Sequence, residues 1–505
     1  MKNYLIYTLL LVVVIVVALL SLNYLPKITI MGHELRVVDI LADIRTTSIE
    51  EEDLPYIEIP ELSELGDSVE NKQDSIRNEE LDTIRKPISS EENIVDELNL
   101  EKKEQPKRVH LNEKWINIDT NGDGLTYIVD YSDSTLRGMK PFYSALQKLD
   151  ENDSYARIAV FGDSFIEADI LTGDLRSFLQ TEYGGSGVGF VPITSRTNGF
   201  RPTVIHNFKG WSSHSVTDTS SFKRNMQGIS GHYFIPISEA SVEMKGQKRY
   251  ASHLDTCEVA SIFFSNRNAI TLTAQVNGGE KVPFYIDASG ELQSVVVDGA
   301  IGRVNWFTPA DSTAVFYGTA MDGKSGIVLD NFSLRGSSGY SLQTIPRKNI
   351  DEFNKLRPYD LIILQYGLNV VSNKVYDYNY YRLTMNKVIS YLKKSFPQAG
   401  ILLLSVGDRD YKADDGSYKT MPEIKYFLNM QRQIAKDNKI AFWNMFEAMG
   451  GEDSMYDLVH DNPAKANFDY THINFRGGRF IARKLFESIK QGSSDFEKGE
   501  IYVGE

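Results

Sequence analysis

The chain has a single cysteine, Cys257, in 505 residues. No intrachain disulfide can form, and no cysteine follows the N-terminal apolar run to accept a lipid. Stability has to come from buried cores, which a chain of this length can build in two or more domains. The lone thiol reads as a packed small residue rather than a nucleophile. There are eight histidines, and those outside the motifs, such as His206, His214, His232 and His253, lack the close spacing of zinc ligands. No metal or cofactor is therefore expected. There is no basic patch that would argue for nucleic acid. The formal net charge of −14 is local: Glu50 to Glu104 holds 19 acids against 6 bases, so the remainder is nearly neutral. That acidity carries no information about a site.

One long apolar run is present, from Tyr4 to Leu22 behind Met1-Lys2-Asn3. As a helix it would span roughly 30 Å, the thickness of a bilayer core. A signal peptide is the rival reading, but Leu19-Leu20-Ser21-Leu22-Asn23-Tyr24 offers no small-x-small cleavage site. The expectation is a single-pass anchor over 1–25 in contact with the lipid bilayer, with Lys2 favouring a cytoplasmic N-terminus. The rest of the chain would lie outside the cytoplasm, in the periplasm of a Gram-negative cell. A juxtamembrane segment (26–49) and an acidic, aromatic-poor tether (50–108) would follow. Folded sequence starts near His110. Asp119-Thr120-Asn121-Gly122-Asp123-Gly124, with Asp130 further on, has the oxygen spacing of a calcium loop. The flanks, Trp115 to Ile118 and Leu125 to Val129, look like strands rather than helices, so a hairpin turn is expected.

From Ala156 onward, apolar runs alternate with amphipathic segments. Strands are expected at Ala156–Phe161, Gly326–Phe332, Asp360–Tyr366, Ile401–Val406 and Ile440–Trp443. Helices are expected at Thr172–Glu182, Tyr378–Ser395, Pro422–Lys436 and Phe475–Lys490. This alternation predicts a parallel sheet covered on both faces, with a site beyond the strands' carboxyl ends. Residues 206–330 break the pattern. They show short runs such as Ala260–Phe264, Ala269–Ala274, Leu292–Val297 and Ala314–Tyr317 between turn residues, and predict an inserted all-β sandwich or jelly roll. The α/β parts would be 109–205 and 331–491, with a tail over 492–505.

Three segments carry chemistry: Phe161-Gly162-Asp163-Ser164, Tyr366-Gly367-Leu368-Asn369 and Asp469-Tyr470-Thr471-His472. A serine attacks an ester only when a base takes its proton, and a histidine does so when a third group holds it. An asparagine amide can donate to the oxyanion that then forms. In this order the set resembles the SGNH (GDSL) hydrolase family. The resemblance implies a three-layer α/β/α, flavodoxin-like fold and covers about Arg137 to Gln491. By it, Ser164 is the nucleophile, His472 the base and Asp469 its orienter. The oxyanion hole would comprise the Ser164 and Gly339 amides and the Asn369 side chain, supported by Asp163 and Gly367. Gly336 competes with Gly339, and Val370 stands where the family often has Asp.

A β-rich insertion between the nucleophile block and the oxyanion glycine resembles bacterial peptidoglycan O-acetylesterases, as do Thr172–Pro192 and Asp330–Gly336. The implied activity is removal of O-acetyl groups from a carbohydrate polymer, peptidoglycan first, through an acetyl-enzyme. Two alternatives stay open. An O-acetyltransferase would pass the acetyl group to a sugar and would involve a membrane acetyl-donor protein. A non-catalytic carbohydrate-binding protein would keep only the fold. Trp211 and Trp306 of the insertion are candidates for stacking on sugar, provided they are exposed.

Overall fold

The computed structural model describes residues 29–30, 33–34, 124–133, 137–149, 154–218 and 221–499. The anchor, the tether and most of the proposed calcium-like turn lie outside these residues. Among the described residues no helix is long and apolar enough to cross a membrane. The chain divides at Pro55/Tyr56 into two units. In the first, Thr29–Ile30 pairs antiparallel with His33–Glu34. Everything below concerns the second.

Its centre is a six-stranded sheet of β1 (Ile128–Asp130), β2 (Tyr155–Gly162), β3 (Gly326–Ser333), β4 (Leu361–Gln365), β5 (Gly400–Leu404) and β6 (Ala441–Trp443), in the order β3-β2-β4-β5-β6-β1. The inner strands read Ala-Arg-Ile-Ala-Val-Phe, Leu-Ile-Ile-Leu and Ile-Leu-Leu-Leu, and are buried throughout. Runs this apolar, broken only by Arg157, belong to strands covered on both faces. Five strands are parallel, as expected. β1 is antiparallel to β6 and makes the sheet mixed. The Leu125–Val129 run thus contributes to a sheet edge beside Ala441–Trp443. Asp130 is no free ligand: its carboxylate accepts from the Ser132 and Met139 amides, both at 2.8 Å.

Helices α1 (Lys140–Leu146), α2 (Thr172–Tyr183) and α6 (Phe475–Glu497) pack together. So do α3 (Arg347–Leu356), α4 (Asn379–Ser395) and α5 (Pro422–Asn438). In α5, Ile424, Phe427, Leu428, Gln431, Ile434 and Ala435 form one buried stripe at helical spacing. α6 outruns its expected end and takes up the first residues of the expected 492–505 tail. It continues because Phe496 packs on Tyr143, with ring centroids 5.8 Å apart. Gly492 permits the approach, since a Cβ there would lie 2.2 Å from the Tyr143 hydroxyl.

The insertion is one antiparallel sheet of nine strands. It takes in Gly189–Val191, ahead of the expected boundary, and the strands from Val204 to Asp322, while Gly326–Ser333 is central strand β3. Strands Ala314–Asp322 and His232–Gly246 meet at a single pair, Phe316 opposite Phe234. On either side of that joint the sheet folds over a shared core containing Phe234, Val242, Leu272 and Trp306 from one arm and Ile262, Phe264 and Phe316 from the other. The expected sandwich is thus a folded, continuous sheet. Cys257 sits in this core, its thiol donating to the Ile301 carbonyl at 2.8 Å. Burial, with the nearby Asp322 charge, pushes that thiol up to about 12, which removes it from nucleophilic chemistry.

Candidate active site

Register brings the distant motifs together. Gly162 at the end of β2 lies between Ser333 of β3 and Gln365 of β4. The segments that follow these three residues therefore leave the sheet at one level, beyond the strands' carboxyl ends. They carry Ser164, Ser337 to Gly339, and Asn369. Ser164 opens a short 3-10 turn, Ser164–Asp169, whose N-cap Asp163 accepts from the Phe165 amide at 3.0 Å. The first amides of such a turn have no acceptor within it, so the Ser164 N–H is a free donor in kind.

Asp469 and His472 enter from the turn before α6. Ser164 Oγ lies 3.1 Å from His472 Nε2. His472 Nδ1 lies 2.7 Å from Asp469 Oδ2. The other Asp469 oxygen accepts from the His472 and Thr471 amides at 2.9 and 3.0 Å. Burial alone would raise the Asp469 carboxyl. The hydrogen bonds and charge of His472 overcome it and hold the group below its ordinary value. An ionised Asp469 fixes the imidazole with Nδ1–H toward the carboxylate and Nε2 free to take the serine proton.

The proposed oxyanion donors converge on the same spot but are closed on one another. Asn369 Nδ2 donates to Asp163 Oδ2 and to the Ser337 carbonyl, both at 3.2 Å. The Gly339 amide donates to Ser337 Oγ at 3.1 Å. An oxyanion has to displace that hydroxyl to reach Gly339. Position 339 requires glycine twice over. Its φ is +86°, and a Cβ would lie 2.9 Å from the Tyr366 ring. Gly336, the competing glycine, shares the positive φ, +75°, but a Cβ there would meet nothing within 4 Å.

Asp163, next to Ser164 in the chain, is wholly buried. Desolvation pushes its carboxyl up to about 6, against hydrogen bonds from Phe165, Gly367 and Asn369 and the charge of His472. Asp169, at the other end of the turn, is the anchor. It accepts from Arg176, Arg201, Thr203, Thr172 and Asn331 at 2.6 to 3.1 Å. The charges of both arginines overcome burial and hold its carboxyl far below the usual range. Ala168 and Asp169 both have positive φ, 52° and 64°. That costly elbow persists because five donors fix it.

Of the residues singled out in the sequence, Ser164, Asp469, His472, Asn369, Gly339, Asp163 and Gly367 all meet here. The two tryptophans do not. Trp306 is 1% exposed, and its indole N–H donates to Thr319 Oγ1 in the insertion core. It fails the condition of exposure and is not a sugar contact. Trp211 is half-buried, its indole N–H bound to the Ser241 carbonyl and its ring edge-on to Phe316. Sequence reading passed over Ser337 as a partner of Gly339, and Arg409 altogether. Arg409 lies five residues beyond the end of β5, where this architecture places functional side chains, and that position was the available signal.

No protein-family model matches the chain, and no curated protein does. Among solved structures, a peptidoglycan O-acetylesterase matches with a TM-score of 0.60 at 21% identity, over 73% of this chain and 99% of that one. This chain shares the fold of that O-acetylesterase. The match spans nearly the whole of the O-acetylesterase. A family two carbohydrate esterase from Clostridium thermocellum aligns over 56% of this chain and 98% of its own, at 13% identity and a TM-score of 0.25, too low to bear on the fold.

Proposed function

We propose that the protein is a serine esterase that removes O-acetyl groups from a carbohydrate polymer, with peptidoglycan as the first candidate. The observation that carries this is the unbroken chain Ser164–His472–Asp469, at 3.1 and 2.7 Å, beside the Asn369 amide. Ser164 Oγ attacks the acetyl carbonyl while His472 Nε2 takes its proton. The oxyanion is met by the Ser164 and Gly339 amides and by Asn369. His472 then protonates the departing sugar oxygen, and the same base activates water to clear the acetyl-enzyme. The polymer substrate is supported by the O-acetylesterase likeness, and the location by the Tyr4–Leu22 run, which would anchor the enzyme outside the cytoplasm. A serine-reactive fluorophosphonate should label the wild type and leave Ser164→Ala unlabelled. Purified O-acetylated peptidoglycan should release free acetate with that same dependence. Labelling without acetate release from any acetylated polymer would defeat the substrate part. Acetate recovered on a sugar acceptor would replace hydrolysis by transfer.

A further inference from the structure

Arg409 is a cation at the junction of the three catalytic segments. Its neighbour Gly407 faces the residue after the nucleophile, since a Cβ there would lie 3.5 Å from the Phe165 ring. Its own Nη1 points to the Val371 carbonyl, two residues past Asn369. The next residue, Asp410, donates its amide to the carbonyl of Tyr470, inside the Asp469–His472 turn, at 3.0 Å. Arg409 is nonetheless poorly paired. The Val371 contact is 3.5 Å long, at the limit of a hydrogen bond. Among the described residues it forms no ion pair. The flanking acids do not neutralise it. Asp408 accepts from Thr420, Ser454 and the Met455 amide, and Asp410 is buried.

A plain structural role does not account for this. The carboxylate whose charge Arg409 feels is Asp469. Asp469 already accepts three N–H groups and has no need of a further partner. A half-buried guanidinium without a carboxylate has given up water for little return. Its planar fork matches a carboxylate, and a carboxylate brought by the substrate would complete it. We propose that Arg409 binds a carboxylate of the substrate close to the ester, so that the preferred polymer is an anionic O-acetylated polysaccharide. This rests on the esterase reading above and narrows its substrate.

The test compares acetylated mannan oligosaccharides with acetylated mannuronan oligosaccharides on the full chain. The sugars differ only in a hydroxymethyl against a carboxylate. The wild type should favour the anionic substrate in kcat/KM. Arg409→Gln should reduce that preference by about tenfold or more, chiefly through KM, and Arg409→Lys should retain part of it. Added salt should erode the preference in the wild type only. No preference in the wild type, or an equal loss on both substrates in Arg409→Gln, would overturn the proposal.

If 4-nitrophenyl acetate is cleaved but neither polymer is, the polymer-esterase reading has failed and the anion site is read separately. Glucuronate should then inhibit 4-nitrophenyl acetate hydrolysis more than glucose, and N-acetylmuramate more than N-acetylglucosamine, with both differences lost in Arg409→Gln. The larger difference identifies a uronate or a lactyl carboxylate as the source. Equal inhibition within both pairs would sink the site.

Discussion

At the residue scale the proposed reaction requires Ser164 and His472 to act as one chemical unit. Ser164→Ala and His472→Ala should each abolish hydrolysis of a small acetyl ester, and the double variant should be hardly slower than either. Near-native turnover by pure Ser164→Ala would remove the nucleophile assignment. Asn369→Ala should lower kcat by roughly 10²–10³ with less change in KM, because its bond to the oxyanion strengthens in the transition state. An unchanged kcat would leave Asn369 only its bonds to Asp163 and Ser337. Asp163 adds a pH signature. Its folded carboxyl is raised from 3.8 to about 6 by burial. The folded state therefore holds a proton that the unfolded chain has lost, and stability falls as pH rises from about 4 to about 6. A rise from 3.8 to about 6 corresponds to about 3 kcal/mol. Asp163→Asn lacks this titration, so its stability relative to wild type should climb across that window and level off above it. Denaturant melts of the two proteins between pH 4 and 7 decide the matter, and parallel curves would contradict the buried, proton-holding Asp163.

At the element scale Ser164 depends on a turn that its own sequence disfavours. Ser164–Asp169 ends in two residues of positive φ, neither of them glycine, and Asp169 holds the turn through five donors from three regions of the chain. Asp169→Ala would strand two buried arginines. It should cost about 3–5 kcal/mol and lower kcat as Ser164 loses its register with His472. Thermal melts with kinetics on a small ester check both, and full stability would show that the arginines find other partners. This anchor was not legible in the sequence, because its members are up to 162 residues apart and no local pattern links them. The central strands and main helices were legible, since apolar runs and helical spacing are local. The pairing of β1 with β6 was not legible, because it is long-range. The long strands Val204–Ser215 and His232–Gly246 went unseen for a related reason. Burial along them alternates irregularly, and a bulge between Lys209 and Trp211 breaks their period. The triad was readable because its chemistry demands those residue types, whereas Arg409 has no motif to announce it.

For the whole molecule, the question is whether the insertion is a detachable module. Three observations say that it is built into the α/β domain. Arg357, which follows α3, is buried between Asp322 on the insertion's last strand and Asp330 on β3. Gln227 of the insertion donates to the Ser341 carbonyl at 3.0 Å and accepts from Thr344 at 2.9 Å, bracing the turn just beyond Gly339. Phe190 of the insertion sheet packs on the central sheet, its ring 5.1 Å from that of Phe332 on β3 and its amide donating to Asp330 at 2.8 Å. The full chain should therefore lose its catalytic activity and its insertion core in one cooperative transition. Arg357→Met removes the shared cation and leaves two carboxylates buried without it. It should destabilise by about 3–5 kcal/mol and move both parts together. Trp306→Ala, a core truncation worth about 3–5 kcal/mol, should likewise lower the melting temperature of the catalytic part as well as its own, and depress small-ester and polymer turnover alike near that temperature. Calorimetry beside residual activity measures this. Two separated transitions, with activity following only one of them, would make the insertion an independent module. Its contribution would then have to be sought in polymer binding alone.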